Sequence, residues 1–275
     1  MAKSIGRVSG WMTGPLRKLL DCDLESQIRS IAGLVPVSET SAQDIFICGY
    51  PKSGNTWFQN LIAGVVYGAD AAMLPDYFVQ EMCPDLQARR YYRRYGTPMY
   101  FKSHELPRPE YRRVIHLLRD GRDATVSYFH HLCAISGKEL DFLHLIRTAD
   151  GMQNRWHEHT EAWLDNPFQS EMIQMKYEEL KSDGVRALRR FCDFVGLERS
   201  DEVLKRALDD SNFEKMRNKE ITQGWSTPSW PKDKPFVRRG VVGSFRDEMP
   251  AAALELFMKD AGPTLKKCGY LEPEH

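Results

Sequence analysis

The sequence has no excess of charge of either sign, since its 38 lysines and arginines balance its 38 aspartates and glutamates. A nucleic-acid-binding protein is normally clearly basic, so we expect no nucleic-acid partner. The chain also lacks a continuous apolar run of about 18 residues, the length needed to cross a bilayer, so we expect no stable membrane insertion. Its 275 residues are typical of one α/β domain or two small ones.

Cysteine pairs are missing as well. The six cysteines are scattered, none forms C-x-x-C, and none lies near a histidine at zinc-finger spacing. We interpret them as reduced thiols of a cytoplasmic protein and expect no metal site. Residues 1–43 form a lead-in segment without the apolar core of a secretory signal. A basic amphipathic helix in it packs on the domain or, alternatively, touches membranes.

A glycine-containing loop is the most informative segment that is present. Residues 49–56 read GYPKSGNT. This is close to the Walker A pattern G-x-x-x-x-G-K-[ST], whose lysine serves the β/γ-phosphates. Asn55 takes the lysine position, while Lys52 lies earlier in the loop. The loop can still hold an anion on its backbone N–H groups, which suits a 5′-phosphate rather than a magnesium-bound γ-phosphate. The alternative is an ordinary strand-to-helix turn.

Strand and helix patterns alternate along the chain. Short apolar runs predict strands at 44–48, 98–102, 114–118 and 172–177, and helical spacing predicts helices at 57–67, 123–135 and 184–196. The charged run 89–94 is interpreted as a solvated helix face, and 219–245 as a long functional loop. We therefore predict one α/β domain: a central parallel sheet, flanking helices and a P-loop-like phosphate-binding loop.

Four segments carry a family resemblance, in the family's order. They are YPKSGNTW at 50–57, KSHELP at 102–107, RDGRDATVSY at 119–128 and RRGVVGSFR at 238–246. Together they resemble the cytosolic-type sulfotransferases, which use 3′-phosphoadenosine-5′-phosphosulfate (PAPS) and release adenosine 3′,5′-bisphosphate (PAP). We assign residues 44–275 to this domain. The resemblance implies in-line transfer of a sulfuryl group to a small-molecule acceptor without a metal ion.

The resemblance also implies roles for single residues. Lys52 meets the bridging oxygen of the leaving group, Lys102 adds a second cation, and His104 acts as the base that takes the acceptor's proton. Backbone N–H groups of Ser53 to Thr56 hold the 5′-phosphate. The complete donor-binding set is Lys52, Ser53, Gly54, Asn55, Thr56, Trp57, Arg119, Ser127, Tyr177, Ser211, Phe213, Arg238, Arg239 and Gly240. Alternatively, Arg119 caps its strand and pairs with Asp123, and Trp57 is a core residue.

The acceptor is less well defined by the sequence. Glu105, His130 and His131 are the candidate acceptor-binding residues, with Glu105 also the reserve candidate for the base. Because Glu105, Asp76 and Glu81 would be left unpaired beside an apolar steroid, we expect a polar, even cationic, metabolite sulfated on oxygen or nitrogen, rather than a flat phenol.

Three alternatives stay open at this point. Two concern function: a P-loop kinase or nucleotidase acting on ATP, and a catalytically silent nucleotide-binding protein. The third concerns assembly. The family's dimerisation element lacks its Thr-Val pair here, where Pro250 and Ala251 stand instead. We therefore expect a monomer or a different dimer.

Overall fold

A four-stranded parallel sheet forms the centre of the protein. In the computed structural model, which describes Gln27 and residues 33–149, 154–225 and 230–271, the strand order is β4-β2-β5-β6. These strands are β2 (Ile45–Gly49), β4 (Tyr100–Ser103), β5 (Arg113–Leu118) and β6 (Glu171–Lys176). A separate antiparallel ribbon pairs β1 (Leu34–Pro36) with β3 (Tyr91–Arg93).

Helices cover both faces of this sheet. They are α1 (Asn55–Val65), α2 (Asp76–Met82), α3 (Gly121–Ser136), α4 (Phe142–Thr148), α5 (Trp156–Asp165), α6 (Tyr177–Ser182), α7 (Gly184–Val195), α8 (Asp201–Asp210), α9 (Phe213–Gln223), α10 (Phe245–Glu248) and α11 (Ala251–Lys267).

Strand β2 shows how the sheet is buried. All five of its residues are buried, as expected for a parallel strand covered on both faces. Ile45 and Ile47 pack with α1, α7 and α8, whereas Phe46 and Cys48 point the other way, into a cluster with Phe101. A third cluster joins α3, α4, α5 and α11. The carboxyl ends of β2, β4 and β5 meet at one edge, where three of the four sequence motifs begin.

The predicted α/β architecture is confirmed, and the predicted strands and helices lie within a few residues of the observed ones. The prediction for 89–94 is wrong, because β3 occupies this run and Arg94 turns back to pair with the buried Asp44. The predicted loop 219–245 is shorter, since α9 continues to Gln223. Residues 34–36 of the lead-in contribute β1, whereas the predicted amphipathic helix lies outside the described residues. Within the described part of the chain, no helix is long and apolar enough to span a membrane.

Candidate active site

A cavity of about 750 Å³ opens at the carboxyl edge of the sheet. Of the residues that the sequence singled out, it collects Lys52, Gly54, Asn55, Thr56, Trp57, Lys102, His104, Arg119, Ser127, His131, Tyr177, Ser211, Phe213, Arg238, Arg239 and Gly240. Three predicted residues do not line it: Ser53, Glu105 and His130. Segments far apart in the sequence therefore converge on one space because their strands end side by side.

The loop between β2 and α1 has the backbone of an anion cradle. Lys52 and Gly54 both have positive φ angles, of 70° and 100°. A Cβ at Gly54 would lie 2.9 Å from the Tyr177 ring, so the close approach of loop and ring requires glycine. The Ser53 N–H, expected to bind phosphate, donates instead to the Tyr50 carbonyl at 3.1 Å. Gly54, which precedes α1, and Asn55 and Thr56, the first two residues of that helix, remain at the cavity wall.

Several buried polar atoms in and beside this loop have no hydrogen-bond partner among the described residues. Asn55 is only 3% exposed, yet neither atom of its side-chain amide has a hydrogen-bond partner. The Ser53 hydroxyl and the Arg119 Nε are likewise buried and have no hydrogen-bond partner among the described residues. Buried polar groups are normally hydrogen-bonded. Of these residues, Asn55 and Arg119 line the cavity, where the Asn55 amide N–H groups and the Arg119 Nε–H fit an anionic ligand such as a phosphate ester.

Lys52 brings an amino group to the cavity wall. Its Nζ lies 4.2 Å from the centroid of the Phe236 ring, and it forms no ion pair with any described residue. Burial, reinforced by the neighbouring Lys102, Arg119 and Arg238, lowers the pKa of Lys52 from 10.5 to about 7. An incoming anion would remove this penalty, so Lys52 is poised to bind negative charge.

Lys102 and His104 approach from the end of β4. Lys102 pairs with Asp85 at 2.8 Å. His104 Nδ1 lies 2.7 Å from the Gly49 carbonyl oxygen, which can only accept, so Nδ1 carries the proton and Nε2 keeps its lone pair. Burial, together with the Lys102 charge, lowers the pKa of His104 from 6.5 to about 3. The imidazole is therefore neutral at physiological pH and able to accept a proton.

Helix α5 supports the backbone of this segment. The helical spacing of Trp156, His159 and Trp163 (i, i+3, i+7) predicts a packing face, and all three are buried. In addition, His159 Nε2 donates to the His104 carbonyl at 3.2 Å and Trp163 Nε1 donates to the Glu105 carbonyl at 3.1 Å. Sequence spacing predicted the burial, but nothing in it indicated these bonds to a distant loop.

Arg119 joins two of the motifs. Its guanidinium donates to the Lys52 carbonyl at 3.0 Å and to the Val241 carbonyl at 3.1 Å, and lies over the Tyr177 ring. It does not pair with Asp123, the alternative role considered above. The buried Asp123 carboxylate instead accepts from the backbone N–H groups of Gly243 and Phe245, at 2.6 and 2.9 Å. Asp123 thus anchors the arginine-rich loop to α3, a role that the sequence analysis missed.

The expected nucleoside residues lie together on one wall. Trp57 and Tyr177 meet edge to face at 5.4 Å, and the Trp57 indole N–H donates to the Ser211 hydroxyl at 3.3 Å. Gly240 has a φ of 63°, and a Cβ there would lie 2.6 Å from the Phe213 ring. Trp57 therefore lies at the cavity wall rather than wholly in the core.

Of the three residues predicted to bind the acceptor, only His131 lines the main cavity. Glu105 turns away from the cavity and pairs with Arg108 at 2.7 Å, while its other neighbour is the Tyr111 hydroxyl. His130 bonds to Glu248 at 2.8 Å and lines only an adjoining cavity of about 460 Å³. His131 lines both cavities, and its buried Nδ1 has no hydrogen-bond partner among the residues that the structure describes.

The three carboxylates from which a cationic acceptor was expected do not line the cavity. Glu81 pairs with Arg89, Glu105 with Arg108, and Asp76 is buried in α2 away from the cavity lining. The cavity lining also includes Tyr77, Gln80, Gln87, Trp225 and Phe236. Among the described residues, no group of three or more His, Cys, Asp or Glu side chains is arranged to hold a metal ion.

Comparison with known proteins gives a consistent result. The family model of the sulfotransferase domain matches residues 42–269. Mouse sulfotransferase 1E1 is 24% identical over 248 residues, which cover 82% of this chain and 84% of the relative. Human sulfotransferase 1C2 is 23% identical over 267 residues, covering 89% and 88%.

Solved structures share the fold. A retinol dehydratase in complex with androsterone and the inactive cofactor PAP has a TM-score of 0.65 at 19% identity, covering 86% of this chain and 84% of that one. Mouse sulfotransferase SULT7A1 complexed with PAP has a TM-score of 0.61 at 20% identity, covering 85% and 91%. Since the family match extends over most of the chain, from the strand before the phosphate loop to the end of α11, the protein belongs to the sulfotransferase domain family.

Proposed function

We propose that the protein transfers a sulfuryl group from PAPS to a hydroxyl or nitrogen of a small-molecule acceptor. The observation that carries this proposal is the placement of Lys52, Lys102 and the Nε2 atom of a neutral His104 in one cavity with the phosphate loop. The family match does not favour the ATP-dependent alternatives. Three of the four motifs supply charges or loops for an anionic nucleotide, and the fourth supplies the base.

Bound PAPS supplies an electrophilic sulfuryl group and, as leaving group, PAP. The protein's part is to bind, orient and stabilise charge. The loop N–H groups after Gly54 hold the 5′-phosphate, and Lys52 offers a cation to the oxygen on which negative charge develops. Arg119 links the loops that contain Lys52 and Val241, and in this proposal Ser127, Arg238 and Arg239 hold the 3′-phosphate.

His104 performs the proton transfer. Because the Gly49 carbonyl fixes the proton on Nδ1, Nε2 is the atom that accepts the proton of the attacking hydroxyl or amine. Asp85 pairs with Lys102 and keeps that ammonium group at the edge of the cavity. Glu105 is a poor reserve base in this arrangement, since its carboxylate is already engaged by Arg108 and Tyr111.

The chemical class of the acceptor is inferred from the lining residues that have no proposed role in binding PAPS. Trp225 and Phe236 stack at 4.5 Å, and Gln80 and Gln87 face the same space. A flat molecule with polar substituents fits this combination. A cationic one is disfavoured, because Lys52 and Lys102 lie beside His104 and would repel it.

Calorimetry in EDTA tests the donor assignment. PAP should bind with micromolar or tighter affinity and AMP at least about tenfold more weakly, because charge-assisted bonds to the 3′-phosphate contribute roughly 1.5–3 kcal/mol each. ATP, titrated once in EDTA and once with magnesium in place of EDTA, serves as the control for the kinase alternative. Equal affinities for PAP and AMP, or tight ATP binding that needs magnesium, would refute the proposal. Transfer of labelled sulfate from PAPS to a panel of acceptors tests the enzymatic activity directly.

A further inference from the structure

Three cationic or titratable side chains converge on one carboxylate behind the proposed 3′-phosphate site. Arg238 holds both oxygens of Glu248, at 2.5 and 3.1 Å, and Arg239 donates to one of them at 2.8 Å. His130 Nε2 lies 2.8 Å from the other oxygen. Glu248 is the last residue of α10, its side chain is 15% exposed, and the two arginines hold its pKa below the ordinary value. This is a bidentate ion pair and not a loose surface contact.

The same arginines line the large cavity, whereas Glu248 does not. A guanidinium fork matches either a carboxylate or a phosphate face with two parallel hydrogen bonds. Both terminal nitrogens of Arg238 donate to Glu248, so a ligand must share these hydrogen-bond donors with the carboxylate. Glu248 also cancels one of the two positive charges that Arg238 and Arg239 bring to the site.

We propose that Glu248 is an internal competitor of the 3′-phosphate: it shares Arg238 and Arg239 with the nucleotide and so weakens nucleotide binding and speeds product release. The inference rests on the proposed function, because it takes these arginines as 3′-phosphate ligands. PAP carries the same two phosphates as the donor's adenosine portion, so tight donor binding brings slow product departure. A carboxylate that re-forms its ion pairs with the two guanidinium groups as PAP leaves makes this dissociation faster. Glu248 touches neither reacting atom and acts only through the arginines.

The opposite role for Glu248 predicts a result of opposite sign. If Glu248 merely oriented the arginines for the ligand, its loss would weaken PAP binding. If it competes, its loss tightens PAP binding. Glu248→Gln keeps the length and one acceptor oxygen while removing the charge. Asp247→Asn is the matched control, because Asp247 lies next to it on α10, is exposed, and forms no ion pair with any described residue.

The test measures PAP and AMP affinities by calorimetry and PAP dissociation by stopped-flow tryptophan fluorescence. Glu248→Gln should lower the Kd for PAP by about tenfold, or about 1.4 kcal/mol. Most of this change should be slower dissociation. AMP affinity should change less than about twofold, since AMP lacks the 3′-phosphate. Asp247→Asn should leave both affinities and the dissociation rate unchanged.

A double variant tests whether Glu248 acts through Arg238. In Arg238→Ala, the additional Glu248→Gln change should lose most of its effect on PAP, because the competition acts through the missing guanidinium. Unchanged or weaker PAP binding in Glu248→Gln overturns the inference, as does equal tightening by Asp247→Asn. A wild-type protein that does not prefer PAP to AMP would overturn the proposed function instead, so the two failures are distinguishable.

Discussion

The lowered pKa of Lys52 predicts how donor use depends on pH. The fall from 10.5 to about 7 corresponds to about 5 kcal/mol that disfavours the ammonium form in the unliganded cavity. Its causes are burial and the nearby cations Lys102, Arg119 and Arg238. Because the pKa is lowered, Lys52 is charged below about pH 7 and neutral above it. The charged form is the one that meets the anionic donor.

We therefore expect kcat/KM for PAPS to bend downward near pH 7 and to approach a tenfold fall per pH unit above pH 8, a loss of roughly 50-fold between pH 7 and pH 9. The window from pH 7 to 9.5 is chosen because a phosphate monoester, with a second pKa near ~6, keeps a constant charge there. PAP binding should take up close to one proton near pH 8.5, measured by calorimetry in buffers of different ionisation enthalpy.

Lys52→Arg provides the control for this prediction. A guanidinium stays protonated throughout the window. The variant should therefore lose the pH dependence of kcat/KM, whatever its absolute rate. A level wild-type profile from pH 7 to 9.5, or the same decline in Lys52→Arg, would show that another group controls donor binding and that the lysine is charged in the free enzyme.

Three further substitutions test the geometry of the site. His104→Ala should lower kcat by roughly 100- to 10,000-fold while changing the Kd for PAP only a few-fold, as measured by initial rates and calorimetry. Asp123→Asn removes the charge that anchors Gly243 and Phe245, so the Kd for PAP should rise about tenfold with little change for AMP. Gly240→Ala forces alanine into a left-handed conformation against Phe213, which should cost about 1–2 kcal/mol in thermal stability and weaken PAP binding; an unchanged melting temperature would contradict the observed φ of 63°.

The fold and most of the cavity lining were predictable because they depend on local order in the chain. Strand, loop and helix follow one another around Gly49 and Gly54, and parallel strands bring their carboxyl ends to one edge. Any residue directly after such a strand, such as His104 after β4 or Arg119 after β5, must therefore lie near the phosphate loop. Burial on both faces likewise made β2 a continuous apolar run.

The pairings of charged side chains were not predictable in the same way. Glu105 follows His104, the proposed base, and was expected in the cavity, but its side chain is on the other side of the segment and meets Arg108 and Tyr111. Glu248 lies ten residues after Arg238, with a turn and a loop anchored by Asp123 between them. Periodicity and spacing carry no information about such contacts, because tertiary packing decides which carboxylate meets which cation.

The aromatic wall leads to a final prediction about the acceptor. Trp225 stacks on Phe236 and lines the main cavity, whereas Trp230 contacts Phe236 edge to face and lines only the adjoining one. Loss of an aromatic contact costs about 0.5–1.5 kcal/mol beyond buried area. Trp225→Ala should therefore raise the acceptor KM by roughly tenfold while the donor KM stays within about twofold, and Trp230→Ala should leave both nearly unchanged. Initial rates with a flat, polar-substituted acceptor and with a cationic amine of similar size measure this. Since Lys52 and Lys102 repel positive charge beside His104, a higher kcat/KM for the cationic amine would mean that the acceptor binds elsewhere.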